Sequence, residues 1–175
     1  MTEQQRDRGS SALDQESAET FKEAMSRFAS GVTVVSCASE DGPLGITVSA
    51  FISVSLTPPL VLVSISKEAT LSPQLARADG YGVSILSAAQ QDESNHFAGW
   101  GREGFTPRFA QLAGRPVLEG ALCTLSCRIA QRVDAGDHTL LIGEVEGVEL
   151  GSADAPLIYA QRRYQRLASD DEERL

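Results

Sequence analysis

From Gly42 to Ser66 the chain carries no charged side chain, and that run constrains the fold more than any other feature. Parity sorts its residues: Ile46, Val48, Ala50, Ile52 and Val54 fall on one side, while Thr47, Ser49, Phe51, Ser53 and Ser55 fall on the other. A period of two belongs to a β-strand, whose successive side chains point to opposite faces. The apolar side has to bury against a core. The other side offers neutral donors and acceptors where a solvated face would carry Lys or Glu, so it is expected to meet a polar, even anionic, group. Pro58, Pro59 and the hydroxyls interrupt the run, which argues against a membrane span, and the N-terminal MTEQQRDRGS lacks the apolar centre of a secretion signal.

A chain of 175 residues is most simply one domain, long enough to bury roughly 70% of its unfolded surface without disulfides. Cys37, Cys123 and Cys127 are read as buried thiols in a reducing cytoplasm; CxxxC without a nearby His lacks zinc spacing, so no metal is expected. Of the net charge of −9, residues 1–20 and 168–175 hold most, and both ends lack hydrophobic periodicity. The expectation is therefore a disordered tail over 1–19, one domain over 20–167 and an acidic disordered tail over 168–175. No basic stripe with interleaved aromatics occurs, which disfavours a nucleic-acid partner.

Thr20 with Glu23 forms a capping box that opens a helix carrying Phe21, Ala24, Met25, Phe28 and Ala29 on one stripe, ended by Gly31. Val32 to Ser39 reads as a strand joined by Glu40-Asp41-Gly42-Pro43 to the uncharged run, a hairpin. Ser55 to Pro59 reads as a loop and Leu60 to Ser66 as a strand. A helix from near Thr70 then turns Leu71, Leu75 and Ala78 inward until Gly80. Tyr81 to Leu86 is a strand, and Ser87 with Gln90 a second capping box for a short helix through Phe97. Gly99 to Gly120 is loop-like. Leu122 to Val133 and His138 to Leu150 are long strands about the turn Asp134-Ala135-Gly136-Asp137, and Leu157 to Ala160 adds a last one. Strands without regularly alternating helices predict a mainly antiparallel sheet, closed or split into a barrel to hide its edges.

Neither GxGxxG nor GxxxxGK[ST] is present, so a nucleotide has to be held some other way. Thr47, Ser49 and Ser53 share one strand face, Ser64 and Ser66 share a face of the next, and Lys67 and Thr70 follow at a helix start; hydroxyls, amides and one lysine together can hold a phosphate. The same Ser and Thr could equally be ordinary β-surface residues. His138 sits just past a turn, His96 on a helix surface, and Arg102, Arg108 and Arg115 solvate the loop-like middle or reach a phosphate. No GxSxG, no HExxH and only two histidines leave a hydrolase unsupported.

FKEAMSRFASGVTVVS, GITVSAFISVSLTPPLVLVSISK, FAG, GDHTLLIGEVE and PLIYAQRRY, taken in this order and spacing from Phe21 to Leu167, resemble the short-chain flavin reductases, the reductase components of two-component flavin-dependent monooxygenases. The resemblance implies an FMN-binding split β-barrel, homodimeric and cytoplasmic. Thr47, Val48, Ser49, Ala50 and Ser53 would face the flavin ring and ribityl chain, and Ser64, Ile65, Ser66, Lys67 and Thr70 would hold its phosphate. Phe97 would lie near the outer part of the flavin, and His138, with Tyr159, at the nicotinamide nucleotide. Tyr159 and Tyr164 match the C-terminal pattern less closely, because Ala160-Gln161-Arg162-Arg163 stands where the family often has a glycine.

Such a reaction asks little acid–base chemistry of the protein. Hydride passes between stacked rings, so the chain supplies orientation and neutral donors. The resemblance implies FMN with FAD as alternative, NADH with NADPH as alternative, and a partner monooxygenase that receives reduced flavin. The reading from a different class is a split-barrel flavin or haem binder that acts as carrier or sensor.

Overall fold

The computed structural model describes residues 15–152 and 154–167. In chain order it contains α1 (Gln15–Ser26), β1 (Ser30–Gly31), β2 (Thr33–Ser39), β3 (Gly42–Val48), β4 (Phe51–Leu56), β5 (Pro59–Ser66), α2 (Ser72–Arg77), β6 (Gly80–Ile85), α3 (Gln91–Asn95), β7 (Phe109–Leu112), β8 (Arg115–Leu118), β9 (Cys123–Ala135), β10 (His138–Leu150), β11 (Ile158–Ala160) and β12 (Arg163–Gln165). A wide π-type turn over His96–Trp100 continues α3.

Seven strands form one antiparallel sheet in the order β3-β2-β6-β9-β10-β5-β4. Its edge strands β3 and β4 are consecutive in the chain, joined by Ser49 and Ala50. Laid flat, seven strands at about 4.8 Å spacing would hold their edges roughly 29 Å apart, a gap that two residues at about 3.5 Å each cannot cross. The sheet must therefore curl until its edges approach. No ladder joins β3 to β4, so the barrel stays split along that seam. The Ser64 N–H donates to the Ala50 carbonyl at 3.1 Å and pins the crossover to β5.

Inside the curl, Val35, Val63, Tyr81, Val83, Cys127 and Leu141 are buried together, each such Val or Leu contributing about 1.5–3 kcal/mol. On the other face of β2, Val32 and Val34 join Leu86, Leu118 and Leu157 in a second core covered by Phe97, Phe109, Tyr159 and Tyr164. β6 alternates Tyr81, Val83 and Ile85 with Gly80, Gly82 and Ser84, and β8 lies on that small face. Ser36 Oγ donates to the Pro116 carbonyl at 2.6 Å, and the Leu118 N–H donates to Ser84 Oγ at 2.8 Å. Buried serines thus satisfy backbone groups that a close-packed strand could not leave open.

Several sequence expectations change. α1 begins at Gln15 rather than Thr20, so residues 15–19 are helical, while 1–14 and 168–175 lie outside the described residues. No α1 residue is buried, and Phe21, Met25 and Phe28 are exposed, because no other described residues cover that stripe. The part of the uncharged run before the expected Ser55–Pro59 loop is two strands, β3 and β4, not one. The break at Ser49–Ala50 reverses the phase: Phe51 turns to the core, while Ile52 and Val54 turn out. The β9–β10 turn is the two residues Gly136 and Asp137, since His138 already pairs with Ala135. The Ser87–Gln90 box forms in part, with Gln90 Oε1 accepting the Ser87 N–H at 3.2 Å, although α3 starts only at Gln91. The loop-like middle contains the β7–β8 hairpin, and β11 continues into β12 through Gln161 and Arg162, both at positive φ.

The three thiols are unpaired, with Cys37 and Cys127 buried and Cys123 half-buried. Burial pushes all three up, Cys127 to about 12, where the Glu146 charge adds to the effect. A thiol raised in the folded state stabilises fully below its ordinary value near 9, and that stability is lost as pH rises toward the folded value. Native protein at pH 8 is therefore expected to react with a disulfide reagent fastest at Cys123 and to release Cys37 and Cys127 only on unfolding. Equally rapid labelling of all three would mean that the core is not closed.

Candidate functional site

The seam gathers most of the expected residues. Thr47, near the end of β3, donates its hydroxyl to the Ser94 carbonyl at 2.7 Å. Ser49 and Ala50 are exposed at the crossover, as is Ser53 on β4. On β5, Val61, Val63 and Ile65 point inward, and Ser64 and Ser66 lie half-buried on the outer face. Ser66 pairs across the ladder with His138, and Ser64 with Leu140.

Val48 and Ile65 are therefore corrections: both side chains belong to the core, at 6% and 2% exposure, and only their backbone is available to a ligand. Lys67 is also engaged. Its Nζ donates to the Gly136 carbonyl at 2.8 Å and lies 3.3 Å from Asp134, while its N–H donates to the Asp137 carbonyl at 2.9 Å. Thr70 is exposed but does not open α2, whose N-cap is Leu71. His138 opens β10 with Nδ1 2.7 Å from Asp137 Oδ1. That hydrogen bond, then the His138 charge, a backbone N–H and Lys67, hold the Asp137 carboxyl below the usual carboxylate range.

Beside the seam, Thr47, Ser49, Ser94, Trp100, Tyr159 and Tyr164 line a cavity of about 190 Å³. The Tyr164 hydroxyl has one proton, so it donates to Asn95 Oδ1 at 2.8 Å and accepts from Ser94 Oγ at 2.9 Å. With the Thr47 bond, Ser94 ties β3, α3 and β12 together. Tyr159 meets Tyr164 edge to face at 5.5 Å. No charged side chain lines this space.

Phe97 is half-buried, its ring laid against the second core next to the cavity-lining Ala98. A Cβ on Gly45 would come 2.8 Å from Phe97 Cε1, and Phe109 lies edge-on at 5.9 Å. His96, expected on a helix surface, is half-buried between Phe97 at 4.9 Å and Phe105 at 5.7 Å. Arg102 pairs with Asp92 at 3.1 Å and Arg108 with Glu119 at 3.5 Å, both at the surface. Arg115 departs from that expectation: it is only 20% exposed and bonds Asp79 at 2.7 Å, which lowers the Asp79 carboxyl. Among the described residues no group of three or more His, Cys, Asp or Glu could hold a metal ion, and no helix is long and apolar enough to cross a membrane.

Sequence reasoning missed Ser94 and Trp100. Ser94 had no readable signal, being a small polar residue inside a short helix. Trp100 had one: it is the chain's single tryptophan, directly after Phe97-Ala98-Gly99.

Residues 25–168 match the family model described as flavin reductase like domain. The reductase component of 4-hydroxyphenylacetate 3-monooxygenase from Thermus thermophilus is 46% identical over 149 residues, 85% of this chain and 96% of that one. An NADH-dependent flavin reductase of a Rhodococcus species is 48% identical over 129 residues, covering 72% and 73% of the two chains. Among solved structures, the flavin reductase PheA2 in its native state superposes with a TM-score of 0.84 at 39% identity, over 90% of this chain and 100% of the other. With the family model matched over residues 25–168 and relatives this similar over most of its length, the chain belongs to the flavin reductase like family.

Proposed function

We propose that the protein is an NAD(P)H:flavin oxidoreductase that passes hydride from NADH to FMN, or to FAD, and supplies reduced flavin to a partner monooxygenase. The observation that carries this reading is the seam, where exposed Ser49, Ala50 and Ser53 lie beside Ser64 and Ser66, the latter paired with His138, and β3, β4 and β5 carry no carboxylate. The relatives' names, an NADH-dependent flavin reductase and a monooxygenase reductase component, support the chemistry and the partner class.

When bound, the flavin supplies the hydride acceptor. Hydroxyls at Ser49 and Ser53 and the backbone of Thr47, Val48 and Ala50 would bond its polar edge. They bring no negative charge to oppose reduction. Ser64, Ser66 and Thr70, with backbone at Ile65 and Lys67, would hold the phosphate, the Lys67 ammonium acting through its field because the β9–β10 turn already bonds it. The Asp137 contact orients the His138 imidazole and leaves Nε2 for the nicotinamide nucleotide, which Tyr159 also flanks. The exposed Phe21 and Met25 on α1, with Phe28 just after it, suit a homodimer, and three free thiols suit the reducing cytoplasm, where NADH is also supplied.

Loss of NADH absorbance with and without added FMN or FAD, in air and then anaerobically, tests the reading. Flavin-dependent oxidation with anaerobic bleaching is expected; flavin binding without oxidation of NADH or NADPH would leave a carrier or sensor. His138→Ala is expected to raise KM for NADH about tenfold, the equivalent of one hydrogen bond of ~1.4 kcal/mol. An unchanged KM and turnover would remove His138 from the nicotinamide site.

A further inference from the structure

The inner side of the sheet carries polar groups that the seam does not use. Val63 and Ile65 of β5 point inward; across the ladders they oppose Leu141 and Thr139 of β10, which in turn oppose Arg132 and Asp134 of β9. Directly opposed residues share a face, so these side chains stand on the inner side of the curl, away from the outward Ser64 and Ser66. α2 covers that end through the buried Leu75, next to Leu71. Between α2 and the strands lies a cavity of about 260 Å³, with Ile65, Leu75, Ala76 and Leu141 among its walls.

Its remaining walls are polar and under-bonded. Arg132 Nη2 donates to the Leu75 carbonyl at 3.0 Å and to the Ala78 carbonyl. Those bonds use both Nη2 protons and leave the ones on Nη1 and Nε. They also fix the guanidinium, so a ligand need not order it. Among the described residues no carboxylate pairs with Arg132, and the Ser72 and Thr139 hydroxyls on the cavity wall make no hydrogen bond. Asp134 is the single carboxylate of the lining. Its Oδ1 lies 3.3 Å from Lys67 Nζ, which offsets its charge and leaves that of Arg132 unmatched.

Size and chemistry limit what enters. About 260 Å³ lies below the roughly 300 Å³ at which pockets begin to enclose drug-sized ligands, so the space takes one ring with its charged group. A bare inorganic anion would leave the apolar walls facing water, and a neutral ring would leave the guanidinium unmatched. The complement to both is an apolar ring bearing one carboxylate, the planar anion that a guanidinium recognises.

We propose that the cavity under α2 binds a compact carboxylic acid of single-ring size, with its carboxylate on Arg132, Ser72 and Thr139 and its ring against Leu75 and Leu141. The seam lies on the other face of β5, so this site stands or falls apart from the reductase reading.

Benzoate is the probe, titrated calorimetrically into the full chain without flavin or coenzyme. Saturable binding to one site is expected. Benzamide, similar in shape but neutral, is expected to bind roughly 10- to 100-fold more weakly, the range for hydrogen bonds to a charged group, and acetate, which lacks the ring, to give no saturation. Because Arg132 also holds α2, milder variants carry the test. Thr139→Val is expected to weaken benzoate roughly fivefold, the worth of one hydrogen bond. Asp134→Asn is expected to tighten it roughly two- to fivefold, as for an exposed charge, a sign that damage to the fold would not produce. Benzoate no tighter than benzamide, or an affinity indifferent to both variants, overturns the proposal. Displacement of benzoate by FMN also overturns it, since the acid would then sit at the seam. Benzoate binding by a protein that reduces no flavin would sink the reductase reading and leave the cavity standing.

Discussion

Ser49→Asp is expected to weaken flavin binding roughly ten- to a hundredfold. Ser49 is exposed at the two-residue crossover, beside the Ala50 carbonyl that Ser64 bonds and on the wall of the aromatic cavity. A carboxylate there would face the flavin's polar edge and the charge that reduction adds. At about 6 Å, two like charges near a protein surface repel by about 1–3 kcal/mol. Ser49→Ala, which only deletes a hydroxyl, is expected to cost about 1 kcal/mol. Calorimetric titration with FMN decides the matter, and an affinity indifferent to Ser49→Asp would move the flavin off this face.

Gly82→Ala is expected to destabilise the fold by about 3–5 kcal/mol, a large part of the roughly 5–15 kcal/mol that holds a domain together. A Cβ at Gly82 would run into the Pro116 carbonyl and meet Val117 Cγ1 at 3.0 Å. β8 cannot simply retreat, since the Pro116 carbonyl accepts from Ser36 and the Leu118 N–H is bonded to Ser84. Overpacking of this kind costs about 1–3 kcal/mol, and each bond broken to relieve it adds about 1 kcal/mol. Gly31→Ala, where a Cβ meets nothing within 4 Å, is the control and should shift the urea midpoint little. A Gly82→Ala midpoint as close to wild type as the control's would mean that β8 does not rest on β6.

Much of this was legible beforehand because it is local. Period-two alternation identifies β2, β5, β6, β9 and β10, and turn residues identify the hairpins between β2 and β3 and between β9 and β10. The pattern of strands predicted a closed or split barrel and the family resemblance the split one, while strand faces and shared motifs together led to Thr47, Ser49, Ser64, Ser66 and His138. β7 and β8 were hidden because their partners are tertiary: an Arg-Pro-Val-Leu strand is held by serines from β2 and β6 and needs glycines there to approach. β12 was hidden because Gln161 and Arg162 make a positive-φ turn without glycine.

By itself the sequence determined that the chain makes antiparallel strands and carries a hydroxyl-rich, uncharged stretch, since alternation, turns and charge are properties of neighbouring residues. Only the tertiary structure decided which way those residues point. Parity carries through a strand only while it stays in one ladder, and the jump from β3 to β4 at Ser49–Ala50 resets it, burying Phe51 and turning Ile52 out. The same curl of the sheet puts the Val48 and Ile65 side chains into the core, lays Phe97 against the second core and sets Trp100 beside Ser49. Distances between residues far apart in sequence exist only once the edges have met.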